Sequence, residues 1–131
     1  LSLCALLAAR DVKVICVDQE KPSSTLDARF DGRTTAISWG SRRVLAAAGV
    51  WDAALDRSSC PILDIEIREN GSASLLRFSA AEAGGEPFGR IIDNLLLRRA
   101  LYDHIGRHKN VTHKAPVRVE HFAVAGDHAA V

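Results

Sequence analysis

An Ala/Leu-rich stretch runs straight into a β-branched one, and this junction constrains the fold more than any other feature of the chain. Leu1 to Arg10 has the composition of a buried helix, and Asp11 turns the chain. Val12-Lys13-Val14-Ile15-Cys16-Val17-Asp18 then has the composition of a buried parallel strand. A helix feeding a strand that ends in a carboxylate is the second half of a βαβ unit. Parallel strands need such crossovers, so the expected class is α/β. Gln19 to Gly32 is polar, carries Pro22, Ser23 and Ser24, and reads as a loop.

Farther along the pattern changes. Ser41 to Ala48 reads as a short helix that Gly49 can end in the left-handed conformation, with a further helical turn over Trp51 to Leu55. Leu63 to Arg68 alternates as a strand with one wet face, Asn70-Gly71 is a hairpin signal, and Ser74 to Phe78 supplies the return strand. Ala80 to Pro87 reads as a loop and Gly89 to Asp93 as a short strand. Asn94 is expected to cap a helix reaching about His108, with Leu97, Leu101, His104 and Ile105 on its apolar stripe. Val111 to His113 and Pro116 to Val124 read as strands, and Val124 to Val131 as a hairpin barely begun. Neither end has the lead-in of a finished element, so both read as truncations.

At 131 residues the chain is long enough for one core, and a net charge of +1 gives no field for nucleic acid or an anionic membrane. Cys4, Cys16 and Cys60 are odd in number and read as reduced thiols of a cytosolic protein. No apolar run reaches the length of a membrane span.

Three residues stand out as binding candidates. Asp18, ending its strand, has the place of a carboxylate that accepts from a ribose, although an Asp at a strand end is as well explained as a turn residue. Arg33, between Gly32 and Thr34-Thr35, suits bidentate pairing with a pyrophosphate, or is a solvated loop arginine. Arg98 borders the apolar stripe near a helix N-terminus, where an anion would feel both guanidinium and unpaired N–H groups; the alternative is a side chain snorkelling to water. His104 and His108 lie one turn apart, a spacing that can bind zinc, but no Cys or carboxylate completes a ligand set, so no metal centre is expected. No Gly-flanked Ser or Cys elbow is present, so no catalytic nucleophile is expected.

Several motifs in order carry a resemblance. They are the opening Leu1-Ser2-Leu3 helix, Asp18, the stretch Asp31-Gly32-Arg33-Thr34-Thr35-Ala36-Ile37-Ser38 with Gly40-Ser41 and Leu45, Gly49-Val50-Trp51-Asp52, and Cys60-Pro61-Ile62 as the start of a hairpin. The last is Ile91-Ile92-Asp93-Asn94-Leu95-Leu96-Leu97-Arg98-Arg99-Ala100-Leu101, with an N-x-x-L-R core. Together they resemble the ubiquinone-biosynthesis FAD-dependent hydroxylases, a group within the p-hydroxybenzoate hydroxylase-like flavin monooxygenases. The glycine-rich turn that precedes the first helix in that family, and its later Asp-Gly and Gly-Asp pairs, are not in this sequence. Gly126-Asp127 reads as a turn.

The resemblance implies an internal piece of a partial, Rossmann-like FAD-binding domain interleaved with an antiparallel β segment on the substrate side. Residues 1–58 and 94–131 would belong to the former and 59–93 to the latter. It implies FAD as cofactor, with Asp18 on the adenosine ribose and Arg33 and Arg98 around the ribityl and pyrophosphate part. It further implies NAD(P)H and oxygen as co-substrates, a polyprenyl phenol or quinone precursor as substrate, and association with other ubiquinone-biosynthesis proteins. The expected location is cytoplasmic, with at most peripheral contact at the inner membrane face. Rival expectations are another FAD-dependent oxidoreductase of the same fold group, a halogenase or a prenyl reductase, and a non-catalytic α/β interaction module.

Overall fold

A computed structural model describes residues 1–26, 32–70, 75–126 and 128–130. It is a mixed α/β structure. Helix α1 (Ser2–Ala8) leads through Asp11, which adopts a positive φ of 58°, into β1 (Val14–Val17). β1 pairs in parallel with β7 (Val111–Lys114), Val14 opposite Val111 and Val17 opposite Lys114. The parallel strand is where the β-branched run predicts it. It is not buried on both faces, because among the described residues β7 is its one neighbour and Ile15 is 66% exposed.

The Gln19 to Gly32 stretch is not wholly loop. α2 (Pro22–Leu26) forms inside it, because Pro22 presets φ at a first helical position that needs no N–H donor. Ser24 Oγ and N–H both close onto the Lys21 carbonyl, at 2.7 and 3.2 Å. Composition hides so short a helix, since five residues carry no full apolar period.

The second sheet is antiparallel, with β6 (Gly89–Asp93) between β2 (Thr34–Ser38) and β3 (Cys60–Ile62). Cys60-Pro61-Ile62 is thus an edge of this sheet and not the first strand of a hairpin. α3 (Trp39–Ala47) begins earlier than the sequence suggests because Ser38 caps it, its Oγ accepting from the Ser41 N–H at 3.2 Å. It ends as expected at Gly49 (φ 77°): Gly49 N–H returns to Ala46 O and Val50 N–H to Leu45 O, the paired bonds of a Schellman turn. α4 (Ala53–Arg57) starts two residues later than expected because Asp52 caps it, accepting from Ala54 and Leu55 N–H at 2.9 Å each.

α5 (Asn94–Gly106) is capped by Asp93, not Asn94: Asp93 Oδ1 accepts from Leu95 N–H at 2.8 Å. Asn94 is instead turned toward β2, its N–H donating to Arg33 O and its Oδ1 accepting from Thr35 Oγ1. The buried residues of α5 are Leu95, Leu97, Leu101 and Ile105. Leu97, Leu101 and Ile105 close on Ala5, Ile37, Leu45, Ala48, Val50, Trp51, Leu55 and Ile92 to form the core. Ile92 and Leu95, each 1% exposed, contribute about 2–3 kcal/mol apiece by burial.

The hairpin of β4 (Asp64–Arg68) and β5 (Leu75–Ser79) is present, while its tip, residues 71–74 with Gly71, lies outside the described residues. Its pairing puts Ile65 beside Phe78 and Ile67 beside Leu76 on one face, and Asp64–Ser79 and Glu66–Arg77 on the other. All of β4 is exposed, so the expected single wet face is two. Pro116 to Val124 is not a continuous strand: Val117 N–H bonds to Asp18 O, and ladder pairing resumes at β8 (Ala123–Ala125) with β9 (His128–Ala130). Among the described residues no helix is long and apolar enough to cross a membrane.

Candidate functional site

Two of the three predicted site residues, Arg33 and Arg98, lie near the N-terminal end of α5. Arg33 precedes β2, and its carbonyl accepts the Asn94 N–H at 3.1 Å, which fixes its backbone at the helix N-terminus. Arg98 follows on α5 four residues after Asn94. It is half-buried and has no hydrogen bond or ion pair among the described residues. Its neighbour Arg99 does not simply face water; Nη2 donates to the Leu26 carbonyl at 2.7 Å and so ties α5 to α2. Asp31, read with Arg33 as one motif, lies outside the described residues.

Asp18 stands at the C-terminal end of β1. Its N–H bonds to Lys114 O at 3.0 Å and its carbonyl accepts from Val117 at 2.8 Å, so the backbone is held on both sides. One carboxylate oxygen accepts from Glu20 N–H at 2.9 Å, as the turn reading requires. The other carboxylate oxygen accepts no hydrogen bond among the described residues. α2 lies between Asp18 and α5: the helix begins four residues after Asp18, and its last residue carries the Arg99 contact.

The helix-terminus contribution expected at Arg98 is smaller than the sequence suggests. The first two N–H groups of α5 are taken by Arg33 O and Asp93 Oδ1, and the Asp93 carboxylate opposes an incoming anion. The guanidinium itself is the remaining attraction.

Sequence reasoning missed a second polar cluster. Asp56 Oδ1 accepts from Trp51 Nε1 at 2.6 Å and from Arg42 Nε at 2.9 Å, with Arg42 Nη2 also at 2.9 Å. Arg90, on β6, donates to Ser59 Oγ and to the carbonyls of Asp56 and Ser59, closing the C-terminal end of α4. The Arg42 and Trp51 hydrogen bonds hold the Asp56 carboxyl below its ordinary pKa. A cleft of about 130 Å³ opens beside this cluster, lined by Trp39, Arg42, Asp56, Glu86, Pro87 and Arg90. Its charged groups are already spent on one another, so the cluster fastens α3, α4 and β6 together. Its members lie far apart in sequence, and no spacing rule could have found them.

Cys4 and Cys16, distant in sequence, meet across α1 and β1. Burial raises the Cys16 thiol pKa, and the neighbouring Cys4 thiol raises it further. Cys60 is exposed. In the native chain, N-ethylmaleimide is therefore expected to label Cys60 first and Cys16 only slowly, because the thiolate is the nucleophile. Peptide mass spectrometry after brief labelling checks this; equal rates at Cys16 and Cys60 would contradict the packing of α1 on β1. Among the described residues no group of three or more His, Cys, Asp or Glu side chains converges as a metal centre.

No protein-family model matches the chain. Individual relatives do. It is 40% identical over 118 residues to a protein of Rhodospirillum rubrum named ubiquinone hydroxylase UbiL, an alignment covering 90% of this chain and 27% of that protein. It is 30% identical over 116 residues to ubiquinone hydroxylase UbiM of Neisseria meningitidis, covering 86% and 25%. It is 31% identical over 111 residues to 3-demethoxyubiquinol 3-hydroxylase of Escherichia coli, covering 84% and 28%. The chain thus spans about a quarter of the length of the curated relatives it matches.

Proposed function

We propose, from the premise that this chain belongs among the ubiquinone-biosynthesis hydroxylases, that it is part of an FAD-dependent monooxygenase acting on the aromatic ring of a polyprenylated phenol. The kinship, 40% identity across 90% of the chain, carries this reading. In the whole protein, FAD reduced by NAD(P)H supplies the means of activating oxygen, and the surrounding chain supplies position and electrostatics.

The residues present fit such a cofactor. Arg98 is a half-buried cation without a partner among the described residues, so an anion on it restores the interaction that partial desolvation removes. Asp18 keeps one oxygen to accept from a sugar hydroxyl while the other holds the turn. The Arg33 carbonyl is held at the start of α5, at Asn94, one helical turn before Arg98, so both residues lie near the same end of the helix. On this reading residues 1–58 and 94–131 belong to the Rossmann-like cofactor domain, and 59–93 to the substrate side. The protein then works in the cytoplasm or at the inner membrane face, alongside other enzymes of the pathway.

The test is the visible absorption spectrum of the purified full-length protein. It is expected to show bound flavin, and the Arg33→Ala/Arg98→Ala double variant to lose it, about 100-fold or more in affinity, while keeping its far-UV circular dichroism. A folded, colourless wild-type protein that takes up no added FAD would overturn the proposal and favour a non-catalytic interaction module. Flavin retained without activity on a polyprenyl phenol would favour another oxidoreductase of the fold group, a halogenase or a prenyl reductase.

A further inference from the structure

The last turn of α5 carries a feature that a flavin site does not use. His104 and His108 are brought together with their Nε2 atoms 3.1 Å apart and their ring centroids 4.8 Å apart, the planes tilted by 53°. We propose that His104 and His108 form a two-imidazole chelating site for a late divalent transition metal of the Zn²⁺ or Cu²⁺ class, with water completing the coordination.

The distance supports it. Two metal–nitrogen bonds of about 2.0–2.1 Å meeting at about 100° place their nitrogens about 3.1 Å apart. That matches the separation already present, so the Nε2 atoms need not separate or close up to share an ion. The same distance is met by a hydrogen bond in which one ring donates to the other; to bind a metal the donor ring carries its proton on Nδ1 instead, which leaves both Nε2 lone pairs free.

The surroundings prepare His104 for this role. Its ring packs over Gly49, where an added Cβ would lie 2.9 Å from His104 Cε1, so the imidazole is held against the end of α3.

Room exists beside it. A cleft of about 260 Å³ is lined by Gly49, Asp52, Asp103, His104 and Arg107. His108 does not line it, so the cleft gives water a path to the His104 side of the pair. The sequence alone stops at the want of a third protein ligand. The geometry makes the pair itself the chelate.

The ion ties the last turn of α5 to the residue that follows its C-cap, and binding to the folded state alone raises the melting temperature. The order of affinity follows Cu²⁺ above Ni²⁺ and Zn²⁺. Affinity falls on acidification, because a metal binds an imidazole nitrogen only through its unprotonated lone pair.

The experiment is isothermal titration of the full chain with Zn²⁺ and with Cu²⁺ at pH 7.5 and pH 5.5, with thermal melts in parallel. One His108-dependent equivalent is expected, weakened about 100-fold in His108→Ala and unchanged in His121→Ala. His108→Gln, which keeps the side-chain volume, guards against a folding defect and is expected to behave as His108→Ala. Binding that survives both His108 variants, or no stoichiometric binding at pH 7.5, would overturn the proposal.

Discussion

Gly89→Ala is expected to destabilise the chain by about 3 kcal/mol or more and to lower its melting temperature by about 10 °C. Gly89 opens β6 between two strands, opposite Ser38 of β2 and Ile62 of β3. A Cβ there would lie 2.3 Å from the Ile37 carbonyl oxygen and 3.1 Å from both the Ile37 carbonyl carbon and the Ser38 Cα. All three are backbone atoms, so no side chain can swing aside, and relief requires β2 to separate from β6. That separation would strain the Trp39 N–H to Phe88 O bond of 2.9 Å and the start of α3. Gly40→Ala is the matched control, since nothing lies within 4 Å of its Cβ and the position is helical. It should be neutral or stabilising by about 0.5–1 kcal/mol. Urea unfolding of both variants reads the contrast; a Gly89→Ala midpoint equal to that of Gly40→Ala would disprove the close approach.

Asp56→Ala is expected to cost about 2–3 kcal/mol at pH 7, by stranding Trp51 Nε1 and the Arg42 guanidinium together. The sites are only partly buried, with Asp56 33% and Arg42 34% exposed, so water recovers part of the loss and the figure stays below that of a fully buried pair. The pH dependence has a definite sign. Hydrogen bonds from Arg42, then Trp51, depress the folded-state carboxyl pKa, so this stabilisation is complete above the unfolded value of about 3.9. It disappears as pH falls through the lower folded value. The stability gap between wild type and Asp56→Asn should therefore be constant from pH 7 to about pH 5 and narrow below about pH 4. A gap that widens on acidification would show that the carboxylate is not the stabilised form.

Local chemistry made much of the fold legible. The β-branched run at Val12 to Asp18 specifies a strand, and its length and flanks make it parallel. Gly49 specifies a helix end because its φ of 77° is open to glycine without penalty. Alternation over Leu63 to Arg68 specifies a strand whatever it packs against. Readings failed where two groups competed for one role. Asp93 and Asn94 are both good caps, and Asp93 takes the position while the Asn94 amide is drawn to Arg33 and Thr35 on β2. Cys60-Pro61-Ile62 reads as any short strand does, and its partner, β6, lies about thirty residues away, beyond any local signal.

The candidate site divides the same way. Residue type and position along the chain singled out Asp18, Arg33 and Arg98, because a carboxylate at a strand end and guanidinia near a helix start have chemistry of their own. That Asp18 shares its carboxylate with Glu20, that Arg33 is pinned to α5, and that Arg98 is half-buried without a partner among the described residues depend on tertiary packing. So do the Asp56 cluster, the Cys4–Cys16 contact and the 3.1 Å approach of His104 and His108. The sequence by itself determined which backbone conformations and which charges are present, since these follow from side-chain shape and ionisation within a few residues. Only the tertiary structure decided which polar groups are satisfied and which are left to bind, because a hydrogen bond is settled by whatever group arrives from elsewhere in the fold.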